Sequence, residues 1–158
     1  MIRLTNLADY AVVLAGRLAG NDRRSNAATL AEETGLPVAT VAKILGAMSR
    51  AGLLASHRGL KGGFSLARPA SEISVADVIE AVDGPIALVH CIENAPGDCD
   101  FEPVCAMRLH WQVINDAVRD GLERVRLSDI AGATPPAVAL AGHARSATQA
   151  GCGSSKGQ

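Results

Sequence analysis

Two short helical segments joined by a tight turn restrict the fold of this chain more than any other feature. Ser25 is placed to cap the first helix, which carries Leu30 and ends at Gly35. Pro37 suits the first turn of the second helix, and Gly52 ends it. The apolar residues of the second helix repeat at steps of three and four and should form one buried stripe: Val38, Val41, Leu45 and Met48. This pattern predicts a helix-turn-helix.

A glycine-rich hairpin follows the second helix. Residues 53–56 and 64–67 are predicted to be short strands, because each is a short apolar run bounded by turn residues. The connecting segment, 57–63, carries Arg58 and Lys61 among its glycines, which permit a tight turn. The segment therefore predicts a wing, a basic two-stranded hairpin beside the helix-turn-helix.

Two further helices complete an N-terminal unit over 1–84. Thr5 is placed to cap a first helix that reaches Gly20. Ser74 and Asp77 have the spacing of a capping box and predict a helix that ends before Gly84. We expect this later helix to support the wing.

A long helix is predicted over 104–130, after a loop over 85–106. Its apolar residues alternate steps of four and three, which is typical of a helix that pairs with another helix: Met107, Trp111, Ile114, Val118, Leu122 and Val125. Small and polar residues dominate 131–158, and this composition predicts a disordered tail. The predicted fold class is mainly α, with an N-terminal winged helix-turn-helix, a small β-hairpin wing and a long C-terminal dimerisation helix.

Charge is distributed unevenly along the chain. Residues 1–68 contain nine Lys and Arg against four Asp and Glu, a net charge of +5, whereas the remainder contains six against twelve, a net charge of −6. A basic surface confined to the helix-turn-helix half favours double-stranded DNA as a partner. The candidate contacts lie on the second helix of the motif and on the wing: Thr40, Lys43, Arg50, His57, Arg58 and Lys61. Long bidentate side chains are scarce on that helix, so wing contacts, DNA shape or water should carry much of the specificity.

The sequence favours a cytoplasmic protein with no membrane partner. Its first residues lack the basic and apolar regions of a signal peptide, and no apolar run approaches the ~18 residues that span a bilayer. In a reducing compartment, clustered cysteines are metal ligands or redox thiols rather than structural disulfides. Neither a nucleophile–base pair nor a nucleotide-binding glycine loop is evident, so we predict that the chain is not an enzyme.

Three of the four cysteines fall in the predicted loop, and Cys152 lies apart. Cys91, Cys99 and Cys105 are separated by seven and five residues, so their thiolates can reach one centre. Thiolates bind iron–sulfur clusters and zinc alike, although zinc sites more often contain a cysteine pair spaced by two to four residues. A third interpretation is that the three cysteines are free redox-active thiols. Either centre normally needs a fourth ligand. The local options are His90, His110, Glu93, Asp98, Asp100 and Glu102.

These features together resemble the IscR/NsrR-type family of winged-helix iron–sulfur regulators, from Met1 to about Ile130. The residues that carry the resemblance are Arg3-Leu4-Thr5 with Asp9-Tyr10-Ala11, Leu30-Ala31-Glu32 with Gly35, Ala51-Gly52-Leu53-Leu54 with Arg58-Gly59, Gly62-Gly63-Phe64-Ser65-Leu66, and the three late cysteines. The opening segment looks closest to the branch that regulates the SUF cluster-assembly genes. The resemblance implies a homodimer whose long helices cross, and promoter binding that depends on a cluster held by Cys91, Cys99 and Cys105, with 2Fe-2S favoured over 4Fe-4S.

Two positions depart from the family pattern. The cysteine spacing is seven then five rather than five then five, and Arg108 stands where the family has a histidine ligand three residues after the last cysteine. His110 is one substitute for that ligand. Asp9 is the other, because in NsrR-like members an aspartate at this position reaches the cluster of the partner subunit. Ala42 stands where IscR has a base-reading glutamate, so the DNA preference of IscR should not transfer.

The leading hypothesis is a homodimeric repressor of cluster-assembly or stress genes controlled by an iron–sulfur cluster. One alternative is a zinc-stabilised winged-helix regulator without redox sensing. An alternative of another class is an iron–sulfur electron-transfer or carrier protein, in which the helix-turn-helix serves only packing.

Overall fold

The computed structural model describes residues 4–21, 24–59, 62–89 and 107–131, with Arg108 described by its backbone alone. Its elements run in the order α1 (Asn6–Ala19), α2 (Ala27–Thr34), α3 (Val38–Arg50), β1 (Leu54–His57), β2 (Gly63–Leu66), a 3₁₀ turn (Ala70–Glu72), α4 (Val75–Asp83), α5 (Arg108–Arg124) and α6 (Leu127–Ile130). The chain is mainly helical with one antiparallel hairpin, as predicted. No helix within the described ranges is long and apolar enough to cross a bilayer.

Local capping explains where the N-terminal helices begin. Thr5 Oγ1 accepts from Ala8 N at 3.1 Å, as expected for the cap of α1. The cap of α2 is Asn26, whose Oδ1 accepts from Thr29 N at 2.8 Å, so the prediction of Ser25 was one residue early. Ser25 is instead drawn into a backbone bridge with Phe64 of the wing, with N–O distances of 2.8 and 3.1 Å.

The capping box at α4 is confirmed. Asp77 N donates to Ser74 Oγ at 3.0 Å, and Ser74 N donates to Asp77 Oδ2 at 2.9 Å. The helix packs mainly against α1 and also contacts α3 and α5. The wing strands make their principal helical contacts with α3 and α1, so the prediction that α4 supports the wing is not confirmed.

The turn between α2 and α3 has the expected helix-turn-helix form. Gly35 ends α2 in the left-handed region at φ 70°, and its N–H donates to Ala31 O at 2.8 Å. Glycine is favoured here because a Cβ makes this backbone conformation costly. Pro37 is the N-cap of α3 rather than a residue of its first turn.

One hydrophobic core joins both ends of the described chain. Side chains with no exposed surface include Leu14 of α1, Leu30 of α2, Ile44 and Leu45 of α3, and Leu127 of α6. Leu127 N also donates to Ile73 O at 2.9 Å, and Val75 N donates to Val125 O at 2.9 Å. The chain that follows α5 is therefore attached to the helical body at the start of α4.

The stripe predicted for α3 is buried except at its first member. Val41, Leu45 and Met48 have no exposed surface, whereas Val38 is 53% exposed. Ile44 takes the remaining place in the core. Successive residues rotate by about 100°, which puts Val38 at the edge of the stripe in the first turn of the helix. The prediction that Val38 is buried is wrong.

The wing is present and is shifted by one residue at each strand from the prediction. Leu54 pairs with Leu66 and His57 pairs with Gly63. Gly63 has φ 154°, and a Cβ on it would lie 2.9 Å from Ser25 O. A side chain at this position would therefore break the bridge that joins the wing to the start of α2.

The apolar stripe predicted for α5 is only partly covered by the same chain. The helix packs against α4, and Trp111, Val118 and Leu122 are half-buried. The other three residues of that stripe, Met107, Ile114 and Val125, are exposed, as are two apolar residues outside it. Leu109 is 79% exposed, Val113 is 69% exposed and Ile114 is 43% exposed, and we call these three residues the α5 patch.

Candidate nucleic-acid interface and sensor elements

The outer face of α3 carries the predicted base and phosphate contacts. Lys43 and Arg50 are exposed, and Thr40 is half-buried. A guanidinium nitrogen of Arg50 lies 3.5 Å from the position that a Cβ on Gly46 would take, so this side chain folds back along the outer face. Within the described ranges, no ion pair engages Lys43 or Arg50. Both cations are therefore available to a polyanion.

The predicted DNA contacts of the wing differ in how exposed they are. Arg58 is exposed at the end of β1, next to Gly59, whose φ is 107°. His57 is half-buried, and its Nε2 lies 3.1 Å from Ser65 Oγ across the hairpin. His57 thus already has a hydrogen-bond partner within the wing. Lys61 lies outside the described residues.

The wing is fixed to the C-terminal end of α3. Leu53 N donates to Met48 O at 3.0 Å across Gly52, and Ser49 Oγ donates to Leu54 O at 3.4 Å. Strand β1 and α3 also pack together. Since these contacts hold β1 directly against the end of α3, the outer face of α3 and strand β1 should move as one unit.

The predicted metal ligands are described only in part. Cys91, Cys99 and Cys105 lie outside the described residues, as do Cys152 and the predicted loop beyond Val89. Asp9 is exposed in the first turn of α1, and His110 is exposed in the first turn of α5. Among the residues that the structure does describe, no three His, Cys, Asp or Glu side chains converge on a metal-sized site.

Asn115 is a functional candidate that sequence reasoning missed. Its side chain is 4% exposed in the middle of α5. Its Oδ1 accepts from Leu88 N at 3.0 Å, and its Nδ2 donates to Ile86 O at 2.9 Å. One amide thus binds the backbone just before Cys91 to the helix that begins just after Cys105. The available signal was a polar residue on the less exposed side of α5, between Trp111 and Val118.

Two side-chain contacts tie α4 to its neighbours. Arg119 Nε donates to Glu80 Oε1 at 2.9 Å, and its Nη1 lies 2.7 Å from Glu123 Oε1. The hydrogen bond with Glu80 and the charges of both carboxylates raise the pKa of Arg119 above its ordinary value, so the guanidinium stays charged. One turn further along α4, Thr5 Oγ1 donates to Asp83 Oδ2 at 2.6 Å. Helix α4 is therefore bound to both α5 and the start of α1.

The helix-turn-helix, the attached wing and the exposed cations on one face define a winged-helix DNA-binding transcriptional regulator. The chain belongs to the Rrf2 family, described as iron-dependent transcriptional regulators, whose model matches residues 4–133. This membership confirms the predicted family and the prediction that the protein is a regulator rather than an enzyme.

Individual relatives agree with the family. The Mycobacterium tuberculosis protein Rv1287, whose name assigns it to the HTH-type transcriptional regulators, is 36% identical over 138 residues, 85% of this chain and 84% of its own. IscR of Vibrio cholerae is 28% identical over 131 residues, 82% of this chain and 75% of its own. Among solved structures, CymR of Bacillus subtilis, titled the global cysteine regulator, superposes with a TM-score of 0.66 at 26% identity, covering 85% of this chain and 100% of that one.

Proposed function

We propose that this regulator is a homodimeric repressor whose promoter binding is controlled by an iron–sulfur cluster held by Cys91, Cys99 and Cys105. The observation that carries the proposal is the Asn115 contact, which joins α5 to the chain just before residues 90–106, the cysteine segment. Asn115 lies two helical turns from Arg108, about 10 Å along the axis. Both ends of the cysteine segment are thus held close together, which favours convergence of three thiolates on one centre.

The donor set fits a cluster in its chemistry. Three thiolates suit iron–sulfur clusters, and a fourth ligand is supplied by His110 or by the partner subunit's Asp9. In this chain both side chains are exposed, so neither has to leave a packed site to reach a cluster. The family description as iron-dependent regulators and the likeness to IscR support the same cofactor. We favour 2Fe-2S over 4Fe-4S.

A series of contacts connects the N-terminal side of the cysteine segment with α3, the proposed DNA-binding helix. The chain just before the cysteine segment is bound to α5 by Asn115, α5 is bound to α4 by Arg119 and Glu80, and α4 packs against α3. Loss of the cluster would release one end of this path and change the population of the DNA-competent dimer. The targets that fit are cluster-assembly or stress-response promoters in the cytoplasm.

Anaerobic purification of the full chain tests the cofactor. We expect a visible absorption band, with iron and acid-labile sulfide in equal amounts and no stoichiometric zinc. Cys99→Ala should abolish the band and the sulfide because a thiolate ligand is lost. Cys152→Ala is the matched control and should keep both. Zinc without sulfide would support the zinc-stabilised alternative instead, and equal promoter affinity of the apo and cluster-loaded proteins would refute control by the cluster.

Arg58→Ala tests the wing. We expect DNA affinity to fall by about tenfold and the salt dependence of binding to become shallower by about one counterion, because one phosphate contact is lost. Arg124→Ala removes an exposed cation from α5, away from the wing and α3, and should change neither quantity. A salt slope that is unchanged in Arg58→Ala would remove this residue from the interface.

A further inference from the structure

The first turn of α3 exposes an aliphatic side chain that is not part of the buried core. Val38 is 53% exposed, while the other members of its predicted stripe are fully buried. A polar residue at Val38 would leave the core intact, because Ile44 and Leu45 complete the buried side of α3 without it. The exposed methyl groups of Val38 are therefore free to contact something outside the chain.

Val38 is one of several methyl-bearing residues at this end of the helix. Ala39 and Ala42 are also exposed, and Ala42 lies one turn after Val38 on the same flank. The exposed cations of α3, Lys43 and Arg50, come later along the outer face. The helix thus presents apolar groups at its N-terminal end and positive charge toward its C-terminal end.

This division of chemistry matches the major groove. In a helix-turn-helix, the N-terminal residues of the second helix contact base edges, and cations along its flanks contact phosphates. The side chains of Val and Ala can neither donate nor accept a hydrogen bond. The thymine C5-methyl is the apolar group on a base edge of the major groove, and it is the group that such side chains contact favourably.

We propose that Val38, with Ala39 and Ala42, reads thymine methyl groups, so that the operator half-site carries thymine where the first turn of α3 enters the groove. The inference rests on α3 being the recognition helix of the proposed function. The inference specifies which base the operator carries at that position, and it makes Val38 a specificity-determining residue.

The test begins with selection of a preferred site from a random duplex library by the purified full chain. Each thymine of the selected half-site is then replaced by deoxyuridine, which pairs identically and lacks only the methyl group. We expect one or two positions at which this change weakens binding by about fourfold, the effect of removing one methyl from an apolar contact. In Val38→Ala, deoxyuridine at one of those positions should cost less than twofold, because the contact is already absent.

Controls separate this inference from DNA binding itself. Val125→Ala shortens an exposed valine outside α3 and should keep the full deoxyuridine effect. The melting temperature of Val38→Ala should match that of the parent chain, since the side chain is outside the core. A flat deoxyuridine scan, a half-site without thymine, or an effect that persists unchanged in Val38→Ala would overturn the inference. Salt-dependent binding to unselected duplex would remain in each case, whereas its loss would refute the proposed function.

Discussion

Val113→Asp is expected to convert the proposed dimer into monomers. Val113 is 69% exposed at the centre of the α5 patch, beside Leu109 at 79%. Exposed apolar side chains clustered on one helix are typical of a covered interface, and dimerisation would bury them. A carboxylate placed there would lose its hydration without gaining a cation, at a cost of at least about 3 kcal/mol, which corresponds to a rise of about 100-fold in the dimer dissociation constant.

Sedimentation of the full chain measures this change directly. Loss of the dimer should also lower the affinity for an operator with two half-sites, because each monomer then binds only one half-site. Ser128→Asp is the control, since it adds the same charge at an exposed position of α6 and should leave the dimer intact. If Val113→Asp sediments as the parent chain does, the α5 patch is not the dimer interface.

Asn115→Ala is expected to destabilise the fold and weaken cluster retention together. The substitution leaves the Leu88 N–H and the Ile86 carbonyl without the side chain that now bonds them. Loss of two such partners at a buried position costs about 2–4 kcal/mol, a large share of the stability of a small domain. Because Leu88 lies three residues before Cys91, the ligand segment also loses its attachment to α5.

The readouts are the melting temperature and the decay of cluster absorbance in air. Both should fall in Asn115→Ala, with cluster decay several-fold faster than in the parent chain. Gln112→Ala removes an amide from the same helix whose described hydrogen bond joins only the exposed Asp116, and should change neither measurement. A stable variant that loses its cluster at the parent rate would show that Asn115 does not position the ligand segment.

Local chemistry determined the helices that sequence reasoning placed well. The capping box of Ser74 and Asp77 and the left-handed Gly35 each depend on residues within one turn of the helix end, so the pattern identifies them without tertiary information. The prediction that Ser25 caps α2 was wrong for the opposite reason. Its backbone pairs with Phe64, nearly forty residues away, and the cap passes to Asn26. A long-range contact overrode a local preference.

The same limit applies to apolar periodicity. The pattern of α5 identified a helix with a packing side, but periodicity does not say whether that side meets α4 or a second chain. Only Ile114 of the α5 patch belongs to the predicted repeat of α5, and the predicted repeat of α3 ran one residue past the core, at Val38. At the candidate site, the basic residues of α3 and the wing were accessible to sequence reasoning through charge and motif. The role of Asn115 was not, because its partners are backbone groups almost thirty residues away.

The burial of Leu127 constrains how this protein can be made. Leu127 packs in the same core as Leu14 and Leu30, and its backbone bonds to Ile73. A nascent chain that has emerged only as far as Gly84 therefore contains every DNA-reading element but lacks a core residue. We therefore expect this core to close fully only after α6 has left the ribosome. By then the cysteine segment has also emerged, so premature operator binding by an unfinished regulator should be disfavoured.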